Sequence, residues 1–181
     1  MRSFQYMEEF ALCGVQPTCR EFYENLFTGN HITYDVAKCR MVVAVVNLDD
    51  SWSSYVWDFV AHRLSILDPS MCESTEQTIY HKHKGMAPTL LGSMLKCMEL
   101  YCGKEVGNIY NCDILLARKF IEAPQIERSG LYSLYCASEF NGVTLSREIT
   151  EDQLLQFRSH LLWHLLSLPS NNGYVPTVCR N

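Results

Sequence analysis

Cysteine and histidine are the side chains of this sequence best suited to nucleophilic or metal chemistry. The chain has nine cysteines and six histidines, and no two cysteines form a Cys-x-x-Cys pair. Structural zinc sites bring their ligands in close pairs on tight turns, so this spacing predicts neither a metal nor a cofactor. We expect the cysteines to be reduced and mostly buried. The residues that could contribute to a metal site on paper are Cys13, Cys19, Cys97, Cys102, Cys112, His81 and His83, and separately His160 with His164.

Ser51 and Asp68 stand at the ends of predicted strands. Three runs rich in β-branched and aromatic residues predict an antiparallel meander, because they follow one another closely along the chain. Asp68 precedes Pro69, which has no N–H to continue a strand. A separation of 17 positions suits a hairpin that returns Ser51 and Asp68 to one end of the sheet. The predicted strands cover residues 41–46, 52–60 and 63–67.

Ser129 begins one of the predicted helices, which has apolar residues at helical spacing and stops at Asn141-Gly142. Thr150 and Gln153 form a capping box at the start of the last helix. The polar stretch 70–87 is predicted to be a loop. Another helix from Pro88 to Tyr101 and a strand at 113–121 complete an α+β fold with a mixed, largely antiparallel sheet.

Three segments of the sequence read Val45-Val46-Asn47-Leu48-Asp49-Asp50-Ser51-Trp52, Leu64-Ser65-Ile66-Leu67-Asp68-Pro69 and Arg128-Ser129-Gly130-Leu131-Tyr132. In this order along the chain they resemble the ubiquitin-like-protein-specific cysteine proteases, in particular the divergent copies common in plants. The first looks like a strand that ends in Asn and is followed, after three residues, by His-Trp. The second is similar to the strand that carries the catalytic Asp, and the third to the Asp-Cys-Gly-x-Tyr that begins the nucleophile helix.

The resemblance implies the papain-like fold of this clan, with a sheet packed between helices. In the family, a Cys thiolate attacks, a His acts as base, an Asp orients the His and a Gln helps to hold the oxyanion. Here Ser51 stands at the His position, Ser129 at the Cys position and Arg128 at the preceding Asp. Asp68 and Trp52 match the residues that the family has at these positions, and Trp52 would line the substrate groove. Gln125 is a candidate oxyanion donor.

These replacements remove the chemistry that the family uses. A serine hydroxyl depends on an adjacent base for activation, and Ser51 cannot take up a proton near neutral pH. His62 is predicted to lie on a turn at the opposite end of the strands, and Cys136 to be buried in its helix. We therefore expect a protein without peptidase activity that keeps the fold and binds a ubiquitin-like modifier or its conjugate.

Two other hypotheses stay open at this point. The chain could be an active hydrolase that uses Ser129, or another nucleophile, with a base brought in by folding. It could instead be a truncated structural or interaction fragment. A histidine nitrogen within about 2.6–3.2 Å of Ser129 Oγ would favour the hydrolase.

Composition and charge narrow the classes of partner. The net charge is −5, and Lys and Arg are scattered, which disfavours binding to nucleic acid or an anionic membrane. The first residues lack an apolar signal-peptide core, so we expect the protein to be nuclear or cytoplasmic. We also expect it to be a monomer. At 181 residues the chain fits one domain, with a protease-like core at 41–168, a poorly matched segment at 1–40 and a loose tail at 169–181.

Overall fold

A four-stranded sheet packed between helices forms the body of the protein, as the α+β prediction required. The structure is a computed structural model that describes residues 38–72, 75–102, 112–117, 128–147 and 149–167. The strands are β1 (Met41–Leu48), β2 (Ser51–Asp58), β3 (Arg63–Leu67) and β4 (Asp113–Leu116). The helices are α1 (Glu76–His83), α2 (Met86–Cys102), α3 (Ser129–Glu139) and α4 (Glu151–Leu166), with a 3-10 turn at Pro69–Cys72.

The sheet has the order β1-β2-β3-β4, in which the first three strands are antiparallel and β4 runs parallel to β3. The predicted meander is therefore confirmed. Helix α2 covers one face of the sheet, where Tyr55 and Trp57 of β2 meet its apolar side. Helix α3 covers the other face through Cys136, which contacts Val56. Because successive strand residues point to opposite faces, β2 is buried on both sides.

Two turns determine how far the strands extend. Asp49 and Asp50 both have positive φ angles, 50° and 61°, and join β1 to β2 in a two-residue hairpin. Strand β2 ends at Asp58 rather than at residue 60, because the Asp58 carboxylate accepts the N–H groups of Val60 and Ala61 and begins a turn. Arg40 pairs with the other oxygen of Asp58 at 2.7 Å.

The segment after α3 closes over that ion pair. Gly142 has a φ of +100°, and a Cβ at this position would come within 2.8 Å of Arg40 Nη2 and 2.9 Å of Asp58 Oδ2. A side chain would therefore face both a strained backbone and a steric clash at residue 142. The glycine that the sequence indicates as a helix stop thus also permits close packing against Arg40 and Asp58.

Helix α4 begins with the predicted capping box, in which Thr150 and Gln153 bond reciprocally.

The prediction of a loop at 70–87 is wrong, because α1 lies within it and α2 begins at Met86. Thr75 caps α1 by accepting the N–H of Thr78, and this short helix buries only Ile79 and His83. The predicted strand at 113–121 is described only to residue 117. Among the described residues, no helix has both the length and the apolar composition to cross a membrane.

The β1–β2 turn predicts a stabilising substitution. Asp50→Gly should raise the free energy of unfolding by about 0.5 kcal/mol, because glycine adopts a positive φ without the Cβ penalty. Asp50→Val should lower it, since a β-branched residue resists this conformation. Urea denaturation of both variants beside the wild type checks the pair, and a destabilised Asp50→Gly variant would contradict the turn assignment.

Candidate functional site

Asp68 is a fully buried carboxylate at the end of the sheet. Its Oδ1 accepts hydrogen bonds from the backbone N–H and the hydroxyl of Ser70, at 2.8 and 2.6 Å. Its Oδ2 accepts from Lys82 Nζ and His83 Nε2, both at 2.8 Å. Four donors thus compensate the loss of hydration that burial imposes on the charge.

Two elements bring these donors to Asp68. Strand β3 ends at Leu67, and Pro69 begins the 3-10 turn that places Ser70 on the carboxylate. Helix α1 contributes Lys82 and His83 from its last turn. A cation near a helix C-terminus is also favoured by the helix dipole, so α1 suits a lysine that pairs with a buried acid.

Opposing effects act on the pKa of Asp68. Burial alone would raise it, but hydrogen bonds from His83, Lys82 and Ser70, together with the positive charge of Lys82, lower the pKa well below its ordinary value. Asp68 is therefore ionised at neutral pH, and it acts as a hydrogen-bond acceptor for both basic side chains.

His83 connects Asp68 to the core. Because an ionised carboxylate can only accept, His83 Nε2 carries a hydrogen, and in the neutral imidazole Nδ1 accepts from the Tyr55 hydroxyl at 2.6 Å. Burial, followed by the charge of Asp68, raises the pKa of Tyr55 far above its ordinary value, so the phenol stays protonated. Both nitrogens of His83 are thus occupied, and its side chain is only 2% exposed.

Ser51 lies on the other side of Lys82. Lys82 Nζ donates to Ser51 Oγ at 3.0 Å while it pairs with Asp68. The resemblance would place an imidazole at position 51, next to Asp68, whereas here Lys82 links Ser51 to Asp68. In both contacts Lys82 Nζ is the hydrogen-bond donor.

Ser129 is linked to the site by a hydrogen bond with the backbone of Trp52, the residue that follows Ser51. Its Oγ accepts the N–H of Trp52 at 3.1 Å. Ser129 is buried, with 3% of its surface exposed, whereas Trp52 is 37% exposed. Arg128 precedes Ser129 and pairs with Glu151 at the start of α4, so its side chain does not cap the first turn of α3.

The structure brings together the predicted residues Ser51, Asp68, Ser129 and Trp52 at one end of the sheet. Their functional roles stay predictions, and Gln125 lies outside the described residues. The expectations that Cys136 is buried and that His62 lies at the opposite end of the strands are confirmed.

Sequence reasoning missed Lys82 and His83 as members of the site, because their segment was predicted to be a loop. The signal for α1 was weak but present. Thr75 could serve as an N-cap, Glu76 follows it in the first turn, and basic residues end the segment. Helical spacing of apolar residues was missing, since α1 is polar on most of its surface.

A half-open cavity of about 700 Å³ lies near β4, away from Trp52. His83 is the member of the site that lines it, beside Tyr80, Leu115 and Phe140. Trp52 instead lies half exposed on the surface, which is more typical of an aromatic contact to a protein than of an enclosed small-molecule pocket. In the described part of the chain, no group of three or more His, Cys, Asp or Glu side chains is arranged to hold a metal ion.

No model of a known protein family matches the chain, and no curated protein matches it in sequence. Membership in the ubiquitin-like-protein-specific protease family therefore stays a prediction based on the three segments and their order.

The Asp68 cluster predicts a specific dependence of stability on pH. The pKa of Asp68 is lower in the folded than in the unfolded chain, where it is about 3.9. The contribution of the ionised Asp68 to the free energy of unfolding is therefore complete above that pH. It is lost as the pH falls below about 4, towards the lower pKa of Asp68 in the folded chain. Asp68→Asn should remove this part of the pH dependence and cost about 3–5 kcal/mol at neutral pH, since it leaves Lys82 without its counter-ion.

Urea denaturation between acid and neutral pH measures both effects. Asp113→Asn is the matched control, because Asp113 is exposed on β4 and should change stability by less than about 0.5 kcal/mol. An Asp68→Asn variant as stable as the wild type, with the same acid transition, would contradict the description of the cluster.

Proposed function

We propose that this protein is a non-catalytic relative of the ubiquitin-like-protein-specific cysteine proteases, which binds a ubiquitin-like modifier or its conjugate without cleaving it. The observation that carries the proposal is the bridge formed by Lys82 between Ser51 and Asp68. In an active triad the histidine at position 51 would donate a hydrogen bond to Asp68, whereas here Lys82 of another element donates it.

The arrangement of elements supports the link to this family. The β2–β3 hairpin brings positions 51 and 68 to one end of the sheet, and α3 begins there with Ser129. This is the relation that the resemblance implies for the base, the orienting acid and the nucleophile. The side chains needed for the reaction are replaced, while the elements that carry them remain.

Binding is assigned to the surface that includes Trp52. Its indole is half exposed beside the start of α3, although most aromatic residues of the sheet are buried. Tryptophan residues often contribute a large share of the energy at protein interfaces, because a rigid apolar ring loses little entropy on binding. Trp52 also occupies the position that lines the substrate groove in the family that the chain resembles.

A serine hydrolase is the alternative that a specific observation favours. Ser51 and Lys82 lie within 3.0 Å, and serine–lysine pairs serve as nucleophile and base in some hydrolases. Such a pair needs a neutral amine and an accessible hydroxyl. Lys82 is instead ion-paired with Asp68, and Ser51 is only 4% exposed. The geometry therefore favours binding over hydrolysis.

Chemical labelling separates the two functions. Ubiquitin and SUMO-type modifiers carrying an electrophile at the C-terminus, and a fluorophosphonate probe, should leave the intact mass of the purified protein unchanged. The reason is that, among the residues the structure describes, no basic side chain hydrogen-bonds to Ser129 Oγ, and that Ser51 is buried beside Lys82. An active protease of the family serves as the positive control. Adduct formation at Ser51, Ser129 or a cysteine would overturn the claim of inactivity.

Binding is tested by calorimetric titration with a panel of ubiquitin-like modifiers. Trp52→Ala should weaken the interaction by at least about 30-fold, the effect expected of a central interface tryptophan. Trp163→Ala is the matched control, because Trp163 is also exposed but lies on α4. If no modifier binds, or if Trp163→Ala has the larger effect, the proposed function is wrong and a structural fragment becomes the better description.

A further inference from the structure

Helix α3 contacts the main chain of Trp52 on both sides of the residue. Ser129 Oγ accepts the N–H of Trp52, and Ser133 Oγ donates to its carbonyl oxygen at 2.7 Å. Ser129 and Ser133 are four residues apart and therefore lie on the same face of the helix. Ser133 itself is completely buried.

Among the described strands, none pairs with these two backbone groups of Trp52. Leu48 and Ser51 close the β1–β2 hairpin as a hydrogen-bonded pair, so the polar groups of Trp52 point away from β1. Strand β3 begins to pair with β2 only from Ser54, opposite Leu67. The hydroxyls of α3 thus replace the missing ladder at the exposed end of β2.

Gly130 fixes the indole ring of the same residue. A Cβ added at Gly130 would lie 3.2 Å from Trp52 Cδ1 and 3.5 Å from Cγ. The ring therefore packs directly against the backbone of the first turn of α3. An alanine would push the indole outward by a few tenths of an ångström, although alanine is the better helix former.

We propose that Ser129, Gly130 and Ser133 are positioning residues that hold Trp52 in its binding geometry before the partner arrives. This inference rests on the proposed function, since it assigns Trp52 to the interface. Ser129 then acts as a hydrogen-bond acceptor at the position where the family has its nucleophile. A preorganised indole loses less conformational freedom on binding than a mobile one, which favours affinity.

The experiment compares Gly130→Ala with Gly85→Ala in the full-length protein. Gly85 is the matched control, because a Cβ there would meet no atom within 4 Å. The protein is labelled with 5-fluorotryptophan, and the Trp52 resonance among its three tryptophans is assigned with Trp52→Phe. Gly130→Ala should shift this resonance in the unbound protein and weaken binding of the modifier selected from the panel by about threefold to tenfold.

Gly85→Ala should change neither the resonance nor the affinity. Thermal melting separates positioning from a general loss of structure. The Gly130→Ala variant should melt at most a few degrees below the wild type. Ser129→Ala should also weaken binding and broaden or shift the Trp52 resonance. Ser159→Ala is its control, since the Ser159 hydroxyl only bonds back to Leu155 on the exposed side of α4.

The outcomes distinguish this inference from the proposed function. If Trp52→Ala weakens binding but Gly130→Ala and Ser129→Ala bind as tightly as the wild type, the positioning role is wrong and the proposed function stands. If the wild type binds no modifier, both fall. A shifted resonance together with weakened binding in both variants supports the positioning role.

Discussion

The ionised carboxylate of Asp68 is the constraint on which this end of the protein depends. A buried charge persists only if donors replace its lost hydration, and Asp68 receives four hydrogen bonds from three residues. Those residues come from the 3-10 turn and from α1. The requirements of one carboxylate thus fix how β3 ends and where the last turn of α1 lies.

The same arrangement determines the chemistry that is available beside Trp52. Lys82 satisfies Asp68 and Ser51 together, while His83 is occupied by Asp68 and Tyr55. Lys82 and His83 therefore both donate hydrogen bonds to the buried acid. Within the described parts of the chain, the site combines this hydrogen-bond network with the half-exposed indole of Trp52.

The sequence predicted the features that depend on local patterns. The β1–β3 meander, the capping box at Thr150 and the start of α3 at Ser129 each have a signal within a few residues. The strand pattern and the hairpin length indicated that Ser51 and Asp68 are neighbours, whereas Ser129 was added to them through the resemblance to the protease family. The functional roles of these residues do not follow from the patterns alone.

Lys82 and His83 could not be found in this way. Helix α1 is short and mostly polar, so its apolar residues show little periodicity, and its position against the sheet depends on the ion pair with Asp68. That pair joins residues 14 positions apart in different elements. The end of β2 at Asp58 was missed for a similar reason, since the turn there depends on which N–H groups one carboxylate accepts.

The protonation state of Lys82 is the most direct test of this account. Heteronuclear NMR of the ¹⁵N-lysine-labelled protein, with the Lys82 signal assigned through Lys82→Met, reports whether the group is an ammonium or an amine. The account predicts an ammonium at neutral pH whose protons exchange slowly with water, because Asp68 and Ser51 hold them. A neutral amine at that pH would supply a base beside Ser51 and contradict the proposal that the site binds without catalysing hydrolysis.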